Sequence, residues 1–299
     1  MNRRMQIRFL PDGRRLHLQD GPIDLIVEAF GAAKEVEAAY RAACARFETV
    51  LDELCKELPF LRQACTIESE WPGGSVARRM MAAVMPYSGE YFITPMAAVA
   101  GSVAEEILTA MVESSELARA YVNDGGDIAL HLTEEEHFVI GMVERPDRPS
   151  LFGTTTLNFS DPVRGVATSG WRGRSFSLGI ADGVTVLAGR AGAADAAATI
   201  LANSVDLPGH PAVVRIPACE LAPDSDLGHR LVTQAVGDLS AGEIDDALAA
   251  GVHVAERLLR LGLIRSAALH LQGETRVAGA MSGLNGVTPP VHERGLVHA

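Results

Sequence analysis

The 299-residue sequence predicts an α+β layered fold on three observations. A stretch at 32–58 carries apolar residues at helical spacing, a second such stretch starts at Thr94, and a block of short alternating segments lies between residues 118 and 187. Strands gathered in a block and bracketed by long helices are the pattern of packed layers around one core.

The elements follow in order. Residues 5–10 and 14–19 alternate in polarity around Pro11-Asp12-Gly13, which is turn chemistry, so the chain opens with a hairpin. A third strand at 23–30 leads into the helix at 32–58, where Val36, Tyr40, Ala43, Phe47, Val50 and Leu54 share one face. After Pro72-Gly73-Gly74 a helix runs to about Met85. Thr94-Pro95 begins another, with Thr94 as N-cap and Met96, Val99, Val103, Ile107 and Met111 as its buried stripe. Its other side, Ala98, Ala100, Gly101 and Ala104, is small enough for another backbone or a ligand to approach, which makes Gly101 a candidate binding residue. Strands are expected at 118–122, 128–132, 138–143, 154–159, 165–168 and 175–187, helices at 192–204 and 243–262, and a late strand at 264–271. Residues 1–75 read as a hairpin-plus-helix subdomain, 76–281 as the core, and 282–299 as a loosely held tail.

Composition narrows the function classes. With 47% hydrophobic and 21% charged residues the chain has a globular composition, and a net charge of -12 argues against nonspecific binding to nucleic acid or an anionic membrane. No apolar run is read as long enough to span a bilayer. Cys44, Cys55, Cys65 and Cys219 form no C-x-x-C pair and read as buried thiols. Cys44 and Cys55 on one helix would stand roughly 16 Å apart, too far for a disulfide. A reducing, cytoplasmic setting is the expectation, and a homodimer is one expected assembly.

Three segments carry the candidate chemistry. In the helix at 192–204, Asp195, Thr199 and Asn203 fall at four-residue spacing on one stripe. A carboxylate and a hydroxyl on such a stripe can hold Mg2+ alongside waters and a substrate phosphate. The alternative is structural: Asp195 caps a helix and Thr199 bonds its own backbone. In Asn123-Asp124-Gly125-Gly126-Asp127, Gly125 and Gly126 can turn backbone N–H groups toward an anion, or simply make a tight turn ahead of Asp127. In residues 165–175, Thr168, Ser169, Gly170, Arg172, Arg174 and Ser175 gather hydroxyls and two guanidinium groups suited to phosphate oxygens, with Trp171 able to stack on a ring; an exposed hairpin tip is the other reading. Ser169 lacks a G-x-S-x-G elbow, and no base among His131, His137 or His210 can be assigned to it.

Taken in order, 94–105 (Thr-Pro-Met-Ala-Ala-Val-Ala-Gly-Ser-Val-Ala-Glu), 123–128 (Asn-Asp-Gly-Gly-Asp-Ile), 167–170 (Ala-Thr-Ser-Gly), 173–182 and 194–199 (Ala-Asp-Ala-Ala-Ala-Thr) resemble the ApbE-like superfamily of Mg-dependent flavin transferases, and an uncharacterised branch of it more closely. The resemblance runs from about residue 5 to 280. It implies a layered fold of mostly antiparallel sheets flanked by helices. It further implies Mg2+ on Asp195 and Thr199, and FAD or FMN against Gly125, Gly126, Asp127, Thr168, Ser169 and Gly170, with an acceptor protein as a partner. Two departures stand out. The transferases carry a His and an Asp-Pro-x-Thr-Gly segment after Thr-Ser-Gly, where this chain reads Trp171-Arg-Gly-Arg-Ser-Phe-Ser-Leu-Gly. Their N-terminal adenine-binding segments have no clear counterpart in residues 1–75. Flavin binding without FMN transfer, an assembly or accessory role, or a small phosphate-bearing ligand other than flavin stays open beside transfer or cleavage at the pyrophosphate.

Overall fold

In the computed structural model, residues 4–143, 151–280 and 296–298 are described. The strands β1 (Gln6–Phe9), β2 (Leu16–Asp20) and β3 (Ile23–Gly31) form the expected hairpin and third strand, with Gly13 at φ +69° in the first turn. Asp12 fixes that turn by accepting from the amides of Arg14 and Arg15. Helix α1 (Ala33–Leu61) buries Ala43, Phe47, Val50 and Leu54 of the expected face, then α2 (Ser75–Val84) follows the Gly73-Gly74 break.

Thr94 does not cap the next helix. The chain first makes a 3-10 turn, Pro95–Ala98, before α3 (Val99–Ser114). The Thr94 hydroxyl is turned instead to Asp226 Oδ2, 2.5 Å away. Contrary to the sequence reading, the 20 residues Pro95–Ser114 are long and apolar enough to cross a membrane, with a window hydropathy of 1.3, but 56% of that window is buried. Here it is a core helix, packed on α1 and α2 and on the strands β4 (Leu117–Asp124) and β5 (Asp127–Leu132).

Beyond these come β6 (His137–Val143), β7 (Leu151–Asn158), β8 (Gly165–Ser169) and β9 (Gly183–Ala188). The expected strand at 175–187 is only half strand. Residues 175–182 form a loop, because Gly179 is pressed against α4 (Ala191–Ser204) so closely that a Cβ there would lie 2.1 Å from the Ala202 carbonyl. The chain then makes an arm that the sequence left unassigned, β10 (Val213–Pro217), the single turn α5 (Ala218–Leu221) and β11 (Leu231–Val236). Helix α6 (Ala241–Arg260) starts with a Ser240/Glu243 capping box and leads to β12 (Ser266–Leu271) and β13 (Glu274–Gly279). Of the expected tail only β14 (Leu296–His298), paired with β6, is described; the rest lies outside the described residues.

Nine strands make one antiparallel sheet in the order β1-β2-β3-β4-β5-β8-β9-β12-β13. Alternate residues feed opposite faces. Ala120 and Val122 of β4 face the helices, whereas Tyr121 packs with Phe138 and Ile140 of β6. One face is therefore covered by helices, and part of the other by the small sheet β14-β6-β7. The fold is α+β, with helices on a mostly antiparallel sheet.

Candidate functional site

The site begins where α3 and α4 cross. Gly101 lies so near α4 that a Cβ would sit 2.4 Å from the Ala191 carbonyl, and Ala191, Ala194, Ala197 and Ala198 keep α4 slim. The two helices cap one another. Asp195 Oδ2 accepts from the Gly101 amide at 3.0 Å, and Glu105 Oε1 accepts from the Gly192 amide at 2.9 Å. Each carboxylate thus meets the positive end of the other helix. Asp195 is a cap, as the structural alternative held, but of α3 rather than of its own helix.

The stripe of Asp195, Thr199 and Asn203 divides by depth. Asp195 and Thr199 line a cleft of about 550 Å3. The Thr199 hydroxyl makes no hydrogen bond among the described residues. Asn203 has a different task, since its Oδ1 holds the 177–179 loop by accepting from Ser177 Oγ at 3.1 Å and from the Leu178 amide at 2.8 Å.

Opposite this helix stands the β4–β5 turn. Gly125 (φ +64°) and Gly126 (φ +116°) take backbone conformations that glycine adopts without strain. The Gly126 amide is spent on Asn123 Oδ1 at 2.8 Å, and Gly126 does not line the cleft. Gly125 does, and its missing side chain makes room for Arg174, whose Nη2 would be 1.8 Å from a Cβ. The Arg174 guanidinium has no ion-pair partner among the described residues and lies near enough to Asp124 and Asp127 to favour their charged forms.

Asp127 starts β5 with Oδ1 buried and accepting no hydrogen bond among the described residues. The nearby Thr168 amide favours its charged form. Burial, then the neighbouring Asp195 and Asp124, push the Asp127 carboxyl well up from its ordinary value. Burial also raises Asp124 and Asp195 to about 7, against the stabilising amides of Asp24 and Gly101 respectively. Asp127 and Asp195 at one end of the cleft, with buried Asp124 close behind them, favour a proton, a cation or a hydrogen-bond donor among them.

The strand β8 brings Thr168, Ser169 and Gly170 to the same cleft, with the Thr168 hydroxyl shared with Thr185 at 2.9 Å. Arg172 leaves it. Asp182 accepts from Arg172 Nε at 2.7 Å and Trp171 Nε1 at 3.2 Å, and the Arg172 guanidinium lies 4.2 Å from the Trp171 ring centroid. The pair expected to grip phosphate and stack on a ring is consumed in anchoring the loop. Arg174 and Ser175 remain exposed on the cleft rim.

The far wall was not foreseen. It comprises Arg62 from the end of α1, Met96, Ala97 and Val99, Phe176, and the loop 222–227 of the arm. Arg62 pairs with Asp224 at 2.8 Å, Thr94 fixes Asp226, and Arg230 stacks on Phe92 at 3.2 Å. Their only sequence signal was the Asp-Ser-Asp run in an unassigned stretch. Of the residues predicted for ligand or metal, Gly101, Gly126 and Arg172 do not line the cleft, whereas Gly125, Asp127, Thr168, Ser169, Gly170, Arg174, Ser175, Asp195 and Thr199 do. His131 contacts the Leu117 carbonyl and His210 pairs with Glu243; neither these nor exposed His137 lines the cleft.

Fold and cleft define an α+β protein with a cleft beside a helix crossing, lined by Asp127 and Asp195 on one side and by Arg62, Met96, Phe176 and the 222–227 loop on the other. The chain belongs to the family described as AbpE bacteria, whose profile matches residues 7–277. It is 37% identical over 129 residues to a UPF0280 protein of Methanopyrus kandleri, covering 43% of this chain and 48% of that one. It is 36% identical over 139 residues to a UPF0280 protein of Methanococcoides burtonii (46% and 55%), and 36% over 159 residues to one of Methanosphaerula palustris (49% and 60%). The chain thus matches about half the length of these relatives.

Proposed function

We propose that the cleft binds a phosphate-bearing ring ligand through a divalent cation, Mg2+ with FAD or FMN being what the ApbE-like resemblance implies. The observation that carries this reading is convergence: β5, β8, the Arg174 loop and α4, distant in sequence, turn hydroxyls, carboxylates and a guanidinium with no ion-pair partner among the described residues into one cleft. The donor set fits a hard cation. Asp195 and Thr199 offer oxygens from one helical stripe, and Asp127 Oδ1 is buried without a partner among the described residues. Among the described residues no group of three His, Cys, Asp or Glu side chains has metal-holding geometry, so ligand phosphate and water would complete the shell. When bound, the cation supplies charge neutralisation at phosphate oxygens. Arg174 adds two N–H donors in fork geometry, Ser169 and Ser175 add hydroxyls, and Met96, Phe176 and Leu227 offer a ring an apolar wall.

Cleavage or transfer at a pyrophosphate is the first form of this reading, and noncovalent binding the second. The second is favoured by one observation: where the transferases carry a His, Trp171 and Arg172 are locked on Asp182 and present no proton acceptor. Titrating stripped protein with FAD, with and without Mg2+, while chromatography follows AMP and FMN, separates the forms. Mg-dependent binding with release of AMP supports transfer or cleavage. Binding without AMP supports a noncovalent holder. Asp195→Ala is expected to abolish the Mg-dependence, and equal affinity with and without Mg2+ would sink the proposal.

A further inference from the structure

The far wall of the cleft carries a carboxylate that the cation reading does not use. Asp226 Oδ2 accepts from the Thr94 hydroxyl at 2.5 Å, and Thr94 is 2% exposed, so the carboxylate is held in place by a buried donor. Asp224 beside it is answered by Arg62. Asp226 has no cationic partner and its Oδ1 takes no hydrogen bond among the described residues, although it lines the cleft. An ionised carboxylate only accepts, and it has room for two parallel N–H donors.

The position along the cleft matters as much. Asp226 is bonded at Thr94 and Asp195 at Gly101, seven residues along the 3-10 turn and the start of α3. That is a rise of about 10–14 Å. A ligand with phosphate at the Asp195 end and its ring against Met96 and Phe176 would offer the far edge of that ring to Asp226, which lines the same cleft.

We propose that Asp226 selects a ring edge with adjacent N–H donors, the 2-amino-4-oxopyrimidine edge of the guanine class, over an edge in which an N–H lies between two carbonyls, as in uracil or a flavin. The inference rests on the reading of the cleft as a site for a phosphate-bearing ring. It names the class of ring. Two donors on one carboxylate form a charge-assisted bidentate pair, whereas flanking carbonyls turn lone pairs toward the anion and leave it unanswered in a partly dry cleft.

The test is a calorimetric titration of the stripped full chain, in Mg2+, with GDP, IDP and XDP, which carry an amine, a hydrogen or a carbonyl at C2, the carbonyl bringing a proton onto N3, and with FMN as the flavin comparison. GDP is expected to bind about tenfold or more tighter than IDP, the scale of one hydrogen bond to a charged group, with XDP and FMN weaker still. In Asp226→Asn the amide offers one donor and one acceptor, so the preference for GDP over XDP should shrink or invert. Mg-dependent binding in which GDP is no tighter than IDP, or in which FMN leads, overturns the inference and leaves the cation site standing. Absence of Mg-dependent binding by any of the four overturns the inference together with the reading beneath it. The four ligands on the unaltered chain decide the matter even where the variant fails to fold.

Discussion

Asp124 is a residue the folded chain keeps at a cost. It is 4% exposed, and its partners are a long 3.5 Å contact from the Asp24 amide and the distant charge of Arg174. Burial lifts its carboxyl from an ordinary 3.8 to about 7. A carboxyl raised on folding contributes stability that is fully present below its unfolded value and is lost as pH rises through its folded value. The native chain is therefore expected to lose stability between about pH 4 and pH 7 on account of this group, whereas an amide of the same shape does not titrate. Asp124→Asn should melt above the native chain at pH 8 and gain little at pH 4, with each kcal/mol worth about 2–4 °C. A melting-temperature difference that is flat across this range would show that Asp124 ionises freely in the fold. This burial is not legible in the sequence, because Asn-Asp-Gly-Gly-Asp reads as a polar turn. Only the third dimension, in which β4 lies between β3 and β5, removes its second residue from water.

At the scale of elements, the helix crossing decides where the site is. Gly101 was legible as a point of close approach, but the approaching group is the backbone of α4 rather than a ligand. A side chain there meets carbonyl, not a yielding side-chain tip. Gly101→Val should cost about 1–3 kcal/mol by overpacking, lowering the melting temperature. It should also weaken any cation dependence, since the Gly101 amide holds Asp195. Gly101→Ala should follow in the same direction with a smaller effect, and unchanged stability in both would mean that the crossing opens freely. The secure elements were those whose period is uninterrupted: α1, β4, β5, α4 and α6 stand close to where periodicity placed them. The errors share one cause. Periodicity over 175–182 and the cap pattern at Thr94 are local signals, and each was overridden by a distant partner, the end of α4 and Asp226 respectively. The cleft's α4 and β8 walls were legible for the converse reason, because Asp195 and Thr199 repeat on one helix and Thr168 to Gly170 on one strand end. Its far wall comes from α1 and the arm, which only folding joins.

For the whole molecule, the long sheet raises the question of what folds alone. The hairpin and α1 read as a subdomain in sequence, and α1 with its Pro72-Gly73-Gly74 break looks separable. In the fold, β3 pairs with β4 over seven register positions from Leu25 to Gly31, and α1 packs along α3. Leu16, Leu18, Leu25, Val27, Phe47 and Val50 share one core with Val103, Ile107 and Met111. Cutting the chain after residue 75 would leave β4 as an unpaired edge and strip of its cover the outer face of α3, which belongs to a stretch long and apolar enough to cross a membrane. Neither 1–75 nor 76–280 is then expected to give a folded monomer when expressed alone, while the two together should assemble into a species with the native melting transition. A soluble 76–280 fragment with a sharp transition of its own, seen by calorimetry and near-ultraviolet circular dichroism, would show that β3 and α1 are additions to a self-sufficient core. The cleft makes the same demand, since Arg62 reaches its far wall from the end of α1. A 76–280 fragment that did fold would lack that pair to Asp224 and should bind ligand at the far wall less selectively, which a titration of the fragment beside the full chain would measure.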